Sequence, residues 1–130
     1  MKRICILLIA IISVVAFCPE KVAADGGKPK IQFKETLWDF GTIKKDQPAS
    51  HSFNFTNVGD GNLIILKATA ECGCTRPEFS EKPVAPGKNG SIKVSYNPIG
   101  RPGSFEKTIT VRTNAGSKPI RLKIRGVVMP

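Results

Sequence analysis

Short segments in which apolar and polar residues alternate recur along the chain from residue 31 onward. The clearest is the last, where Ile120, Leu122 and Ile124 alternate with Arg121, Lys123 and Arg125. A period of two places successive side chains on opposite faces of a strand, so each segment predicts a strand with one buried face. Similar alternation is found at residues 31–33, 53–55, 92–96 and 105–112.

Turn-forming residues separate these segments. Asn57–Asn62, Ala85–Gly90 and Asn114–Gly116 are rich in Asn, Gly and Pro, which favour tight connections. No segment shows a helical period. About seven strands at intervals of about 8–12 residues predict an all-β fold, an antiparallel β-sandwich.

The large apolar residues predict where the core lies. Leu63–Leu66 is a fully apolar run, which predicts a strand that is buried on both faces or crosses the core. Four aromatic rings are expected in the core, although a carbohydrate-stacking platform is the alternative for the first of them. They are Trp38, Phe40, Phe53 and Phe55.

The N-terminus predicts export. Met1–Arg3 is basic, and the 14 residues from Ile4 to Phe17 are almost wholly apolar. This run is too short to span a bilayer and has the length of a signal-peptide core. We expect a signal peptide over residues 1–24 with cleavage after Ala24, no remaining transmembrane span, and a periplasmic or extracellular location. The alternative is a lipoprotein anchored through Cys18.

Residues 25–30 then form a flexible leader, and residues 31–130 form one domain. The whole chain carries a net charge of +10. Without residues 1–24, 17 basic and 9 acidic residues leave 17 − 9 = +8. This excess predicts an acidic protein or acidic glycan as partner rather than nucleic acid. Arg121, Lys123 and Arg125 form a candidate basic contact face, the alternative being charges that protect an outer or edge strand.

Cys72 and Cys74 are the only cysteines after residue 24 and lie one glycine apart. Four interpretations remain open: reduced thiols packed as small apolar groups, a strained disulfide with redox function, a soft-metal site for an ion such as Cu(I), or a bond to a partner. If the preceding strand ran straight on, both thiols would face the core. The only histidine, His51, shares strand parity with Phe53 and is expected at the core edge rather than on a metal.

No arrangement of residues predicts a catalytic centre or a bound cofactor. There is no paired-acid motif, phosphate loop or serine elbow. The sequence therefore predicts a monomeric, non-catalytic binding or scaffolding module, with thiol redox chemistry or soft-metal binding at Cys72 and Cys74 as the alternative.

Several segments together resemble one bacterial family of secreted proteins, domain of unknown function 1573, which is common in Bacteroidetes. They are residues 38–43 (WDFGTI), 53–59 (FNFTNVG), 72–75 (CGCT), 86–87 (PG) and 124–127 (IRGV). The resemblance covers residues 31–128 and implies an immunoglobulin-like sandwich, related in fold to the Hydin and major sperm protein group, and an exported location. It implies no activity and no catalytic residues.

Overall fold

Eight β-strands form two four-stranded sheets in the computed structural model, which describes residues 27–130. The predicted signal peptide, its cleavage site at Ala24 and Cys18 lie outside the described residues. The strands are β1 (Ile31–Phe33), β2 (Leu37–Ile43), β3 (Ala49–Asn57), β4 (Ile65–Ala70), β5 (Thr75–Phe79), β6 (Asn89–Tyr96), β7 (Gly103–Thr113) and β8 (Ile120–Val128).

The first sheet has the strand order β1-β3-β6-β5 and the second has the order β2-β8-β7-β4. All neighbouring strands are antiparallel except β2 and β8, which run parallel. The chain crosses between the sheets five times, from β1 to β2, β2 to β3, β3 to β4, β4 to β5 and β6 to β7. The predicted all-β sandwich is confirmed. It has eight strands instead of about seven, and β5 lies where no alternating segment predicts a strand.

The core lies between the sheets and is formed by the inward-facing residues of the alternating segments. Phe53, Phe55, Ile92 and Val94 come from the first sheet. The second sheet contributes Ile109, Val111, Leu122 and Ile124. Tyr96 of β6 stacks on Phe105 of β7 with ring centroids 3.8 Å apart, so aromatic packing joins the two sheets.

Two expectations for the core are wrong. Leu66 is 60 % exposed, because the register of β4 against β7 shifts between Ile65 and Lys67 and turns this residue outward. Trp38 is 36 % exposed, because it lies on the edge strand β2. Phe40 is half-buried, whereas Phe53 and Phe55 are core residues as predicted.

The described part of the leader is hydrogen-bonded to the loop after β3. The carbonyl groups of Lys28 and Lys30 accept hydrogen bonds from the backbone N–H groups of Asp60 and Val58, each at 2.9 Å. Residues 27–130 contain no helix that is long and apolar enough to cross a membrane.

Candidate functional site

The two cysteines lie where the chain crosses from the second sheet to the first. Only four residues, Glu71 to Cys74, separate the end of β4 from the start of β5. The Thr75 N–H donates to the Cys72 carbonyl group (3.2 Å), which closes a tight turn. Gly73 lies in this turn, and a Cβ placed on it would meet no atom within 4 Å.

Cys72 and Cys74 are joined by a disulfide, with their Cα atoms 5.3 Å apart. The turn brings these atoms closer than the ~6.5 Å expected for residues i and i+2 of a straight strand. Cys74 is 4 % exposed and belongs to the core, whereas Cys72 is half-buried at its edge. Both side chains therefore lie on the core side, as parity predicts, although Leu66 of the same parity series is turned outward.

Among the described residues, no third ligand lies beside Cys72 and Cys74 to complete a metal site. Nowhere among residues 27–130 do three or more His, Cys, Asp or Glu side chains gather in a way that could hold a metal ion. His51 lies on β3, half-buried, with its Nε2 against Glu35 Oε1. The ring of His51 stacks on Trp38 at 3.9 Å between centroids, so His51 covers one face of the indole at the seam between the sheets.

The predicted basic face lies in the middle of a sheet. β8 is an interior strand, so edge protection does not explain Arg121, Lys123 and Arg125. Two of the three are ion-paired with acids from neighbouring strands. Lys123 Nζ lies 3.6 Å from Glu106 Oε1, and Arg125 Nε lies 3.1 Å from Asp39 Oδ2.

Asp39 is held in place by two neighbours. Its Oδ1 accepts the N–H of Gly41 (2.8 Å), which has φ +66°, and its Oδ2 accepts from Arg125. The Gly41 N–H and then the Arg125 guanidinium hold the pKa of this carboxyl below its usual value, because both favour the charged form. The positive charge of Arg125 is therefore largely matched on the protein itself.

Arg121 belongs instead to a cluster of three cations, Lys67, Arg112 and Arg121, which we call the basic cluster. Lys67 of β4 lies directly opposite Arg112 of β7 in the sheet register. Arg121 of β8 lies opposite Thr110, one outward-facing position from Arg112. All three are exposed, and no carboxylate of residues 27–130 lies within ion-pair distance of them.

A shallow groove of about 400 Å³ runs beside this cluster on the outer face of the second sheet. Its lining includes the side chains of Thr69, Thr108, Thr110, Arg121 and Lys123. Glu71 also lies there, but its Oε1 accepts the backbone N–H of Thr108 at 3.0 Å. Hydroxyl groups beside cations can donate several hydrogen bonds to an anionic group.

Sequence reasoning named Arg121 but missed Lys67 and Arg112. Arg112 occupies an outward position of an alternating segment, and Lys67 directly follows the apolar run of residues 63–66, so nothing in the sequence links the two. Only the pairing of β4 with β7 could have revealed them, because Lys67 and Arg112 become neighbours through the register of these two strands.

The chain belongs to the family described as "Protein of unknown function (DUF1573)", whose model matches residues 31–128. No curated protein matches the sequence. A protein of unknown function from Porphyromonas gingivalis W83 has a similar structure, with TM-score 0.65 and 18 % identity over 85 % of this chain. This chain spans about half of that one, 51 %.

Two further solved structures are similar. PapD-like domain 7 of human CEP192 has TM-score 0.57 and 13 % identity, covering 77 % of this chain and 85 % of that one. The YadV chaperone has TM-score 0.51 and 16 % identity, covering 77 % of this chain and 51 % of that one. These likenesses show that the fold is immunoglobulin-like.

Proposed function

We propose that this protein is an exported, non-catalytic binding module of the bacterial cell envelope that holds an acidic partner on its second sheet. The observation that carries the proposal is the basic cluster of Lys67, Arg112 and Arg121. The export is expected from residues 1–24. The described domain needs no cofactor for this role.

The cluster has a cost for folding. Like charges directly opposite each other in a sheet destabilise it, and Lys67 and Arg112 are such a pair. The same sheet neutralises Lys123 and Arg125 with Glu106 and Asp39. Cations left without a counter-charge beside three threonine hydroxyls favour an anionic group supplied by a partner.

Binding to two polyanions, heparin and poly-L-glutamate, tests this proposal. We expect R112E/R121E to weaken binding of both by ~10-fold or more at about 50 mM salt, because each reversal exchanges an attraction for a repulsion. The matched control is K82E/K88E, which makes the same change of net charge at exposed loop positions.

Equal losses in the two double variants would show that net charge alone attracts polyanions, and the proposed face would be wrong. A selective loss of one polyanion would separate an acidic glycan from an acidic protein as the partner class.

A second candidate function is thiol–disulfide exchange at Cys72 and Cys74, favoured by the different exposure of the two residues. A thiolate of an external dithiol protein attacks the half-buried Cys72 Sγ, and Cys74 Sγ leaves as a thiolate. That thiolate takes up a proton. The partner's second thiolate then attacks the mixed disulfide, so the partner is oxidised and both cysteines are released as thiols.

Equilibration of the full chain in glutathione buffers of graded ratio, followed by alkylation and intact mass, tests this candidate. Reversible interconversion of dithiol and disulfide would support it, as would a mixed disulfide of C74S with glutathione, formed when the Cys72 thiolate attacks oxidised glutathione and releases reduced glutathione. A pair that stays oxidised across all ratios would limit the disulfide to a structural role. In that role the disulfide would contribute at most about 2 kcal/mol to stability, because the loop that it closes is so short.

A further inference from the structure

The free edges of the two sheets differ in whether another strand can pair with them. An edge strand accepts an extended segment only where consecutive N–H and C=O groups point outward without interruption. The four edge strands are β1 and β5 in the first sheet and β2 and β4 in the second.

Three of these edges are obstructed. On β2, the register shifts after Asp39, whose carboxylate already binds the Gly41 N–H. On β4, the bulge at Leu66 interrupts the row of backbone groups. On β5, Pro77 has no N–H group, and the Thr75 N–H is used in the turn to Cys72.

The edge of β1 is open. The Val58 N–H donates to the Lys30 carbonyl group, and the Lys34 N–H donates to the Asn54 carbonyl group. Residues 30, 32 and 34 therefore bond to β3, and antiparallel geometry turns the N–H and C=O groups of Ile31 and Phe33 to the other side. No strand of residues 27–130 lies on that side.

An apolar groove of about 620 Å³ adjoins this edge, between β1 and the β7–β8 connection of the other sheet. Ile31, Val58, Ala115 and Ile120 line it. β2 does not close the seam here, because its pairing with β8 begins only at Lys123. A side chain from an added strand would therefore find an apolar floor formed by both sheets.

The charged groups of the groove are all of one sign. Lys30 and Lys118 line it, and no acidic residue does. Complementarity thus favours a segment in which carboxylates flank the apolar residues.

We propose that the β1 edge binds an extended, acidic segment of a partner protein, which adds a strand to the first sheet through Ile31 and Phe33. An apolar side chain of the segment occupies the groove over Ile120, and its flanking carboxylates meet Lys30 and Lys118. This inference goes beyond the proposed function and does not depend on the basic cluster, which lies on the outer face of the other sheet.

The probe is a synthetic seven-residue peptide of alternating valine and threonine with a glutamate at each end. NMR amide exchange of the full chain is measured with and without it. We expect exchange at Ile31 and Phe33 to slow by ~10-fold or more at saturation, because these N–H groups become hydrogen-bonded in the added strand. Amides of Gln32, already paired with β3, should change little.

Two variants test the two parts of the interaction. I31P removes an outward N–H without removing a bond to β3, and should reduce peptide affinity at least ~5-fold. K30E/K118E leaves the backbone intact and should reduce affinity for the glutamate peptide while raising it for the same peptide with terminal lysines. K82E/K88E is again the matched control for net charge.

Slowed exchange at edges other than β1, or affinity that does not respond to either variant, would overturn the proposal. Concentration-dependent dimerisation that I31P abolishes would identify a second copy as the occupant and would also overturn it. Because R112E/R121E leaves this edge untouched, failure of polyanion binding and failure of peptide binding are separate results.

Discussion

Asn57 anchors three loops through its side chain at the end of β3. It is fully buried. Its Nδ2 donates to the carbonyl groups of Gly61 (2.7 Å) and Val84 (2.8 Å), and its Oδ1 accepts from Gly59 N–H (3.0 Å) and Lys30 N–H (3.3 Å). One amide thus replaces backbone pairing where the strand ends.

We expect N57A to lower the free energy of unfolding by about 2–4 kcal/mol, because it leaves several buried backbone groups without partners. Urea denaturation measures this loss. The matched control is N54A on the exposed face of the same strand, with an expected change within about 0.5 kcal/mol. Similar losses in the two variants would contradict the role given to Asn57.

Asp39 is the residue for which the structure predicts a pH dependence. Its folded pKa is lowered, chiefly by the Gly41 N–H, so its contribution to stability is present above the unfolded pKa of about 4 and is lost as pH falls through the folded value. We expect D39N to have a lower Tm than the unaltered protein at pH 7 and the same Tm at about pH 2.

Thermal unfolding followed by circular dichroism at a series of pH values checks this expectation. D46N, at an exposed loop position, serves as the control and should show no such convergence. A Tm difference for D39N that persists unchanged at about pH 2 would mean that the lost charge is not its cause.

At the scale of elements, the register of β4 on β7 decides which cations meet. The bulge at Leu66 leaves both Leu66 and Lys67 on the outer face and places Lys67 directly opposite Arg112. The parallel pairing of β2 with β8 has the opposite effect, because it places Asp39 beside Arg125. The same sheet therefore contains a neutralised half and a basic half.

Removal of one cation from the basic half should stabilise the fold. We expect R112Q to raise the free energy of unfolding by about 0.2–1 kcal/mol at low salt, because it ends the repulsion with Lys67. R76Q is the comparison, since Arg76 lies 3.7 Å from Glu78 and its loss should not stabilise. Urea denaturation measures the free energy of unfolding of both variants. If R112Q were no more stable than R76Q, the repulsion argument would be contradicted.

At the scale of the whole molecule, the excess of positive charge opposes folding and favours acidic partners. We expect an increase from about 20 to about 300 mM NaCl to raise Tm by about 2–4 °C, as repulsion is screened, and to weaken polyanion binding. The rise should be smaller in R112E/R121E. A Tm that falls with salt would show that attractions between charges dominate the native state.

The sequence by itself determined the sandwich and most of its core. Alternation at Phe53–Phe55 and Ile120–Ile124 is local, and a period of two specifies which side chains are buried whatever strand lies alongside. It also indicated that the cysteine pair faces the core and that Arg121 is exposed. Trp38 and Leu66 were placed wrongly, because edge position and bulges depend on partners elsewhere in the chain.

Only the tertiary structure decided which charges remain available and which edge is open. Arg125 and Asp39 are 86 residues apart in sequence, so their ion pair cannot be recognised from spacing. The basic cluster and the open edge of β1 likewise arise from strand order and register, which are long-range pairings. The physical reason is that burial follows from a local pattern, whereas electrostatic partners and free edges follow from the way that distant strands meet.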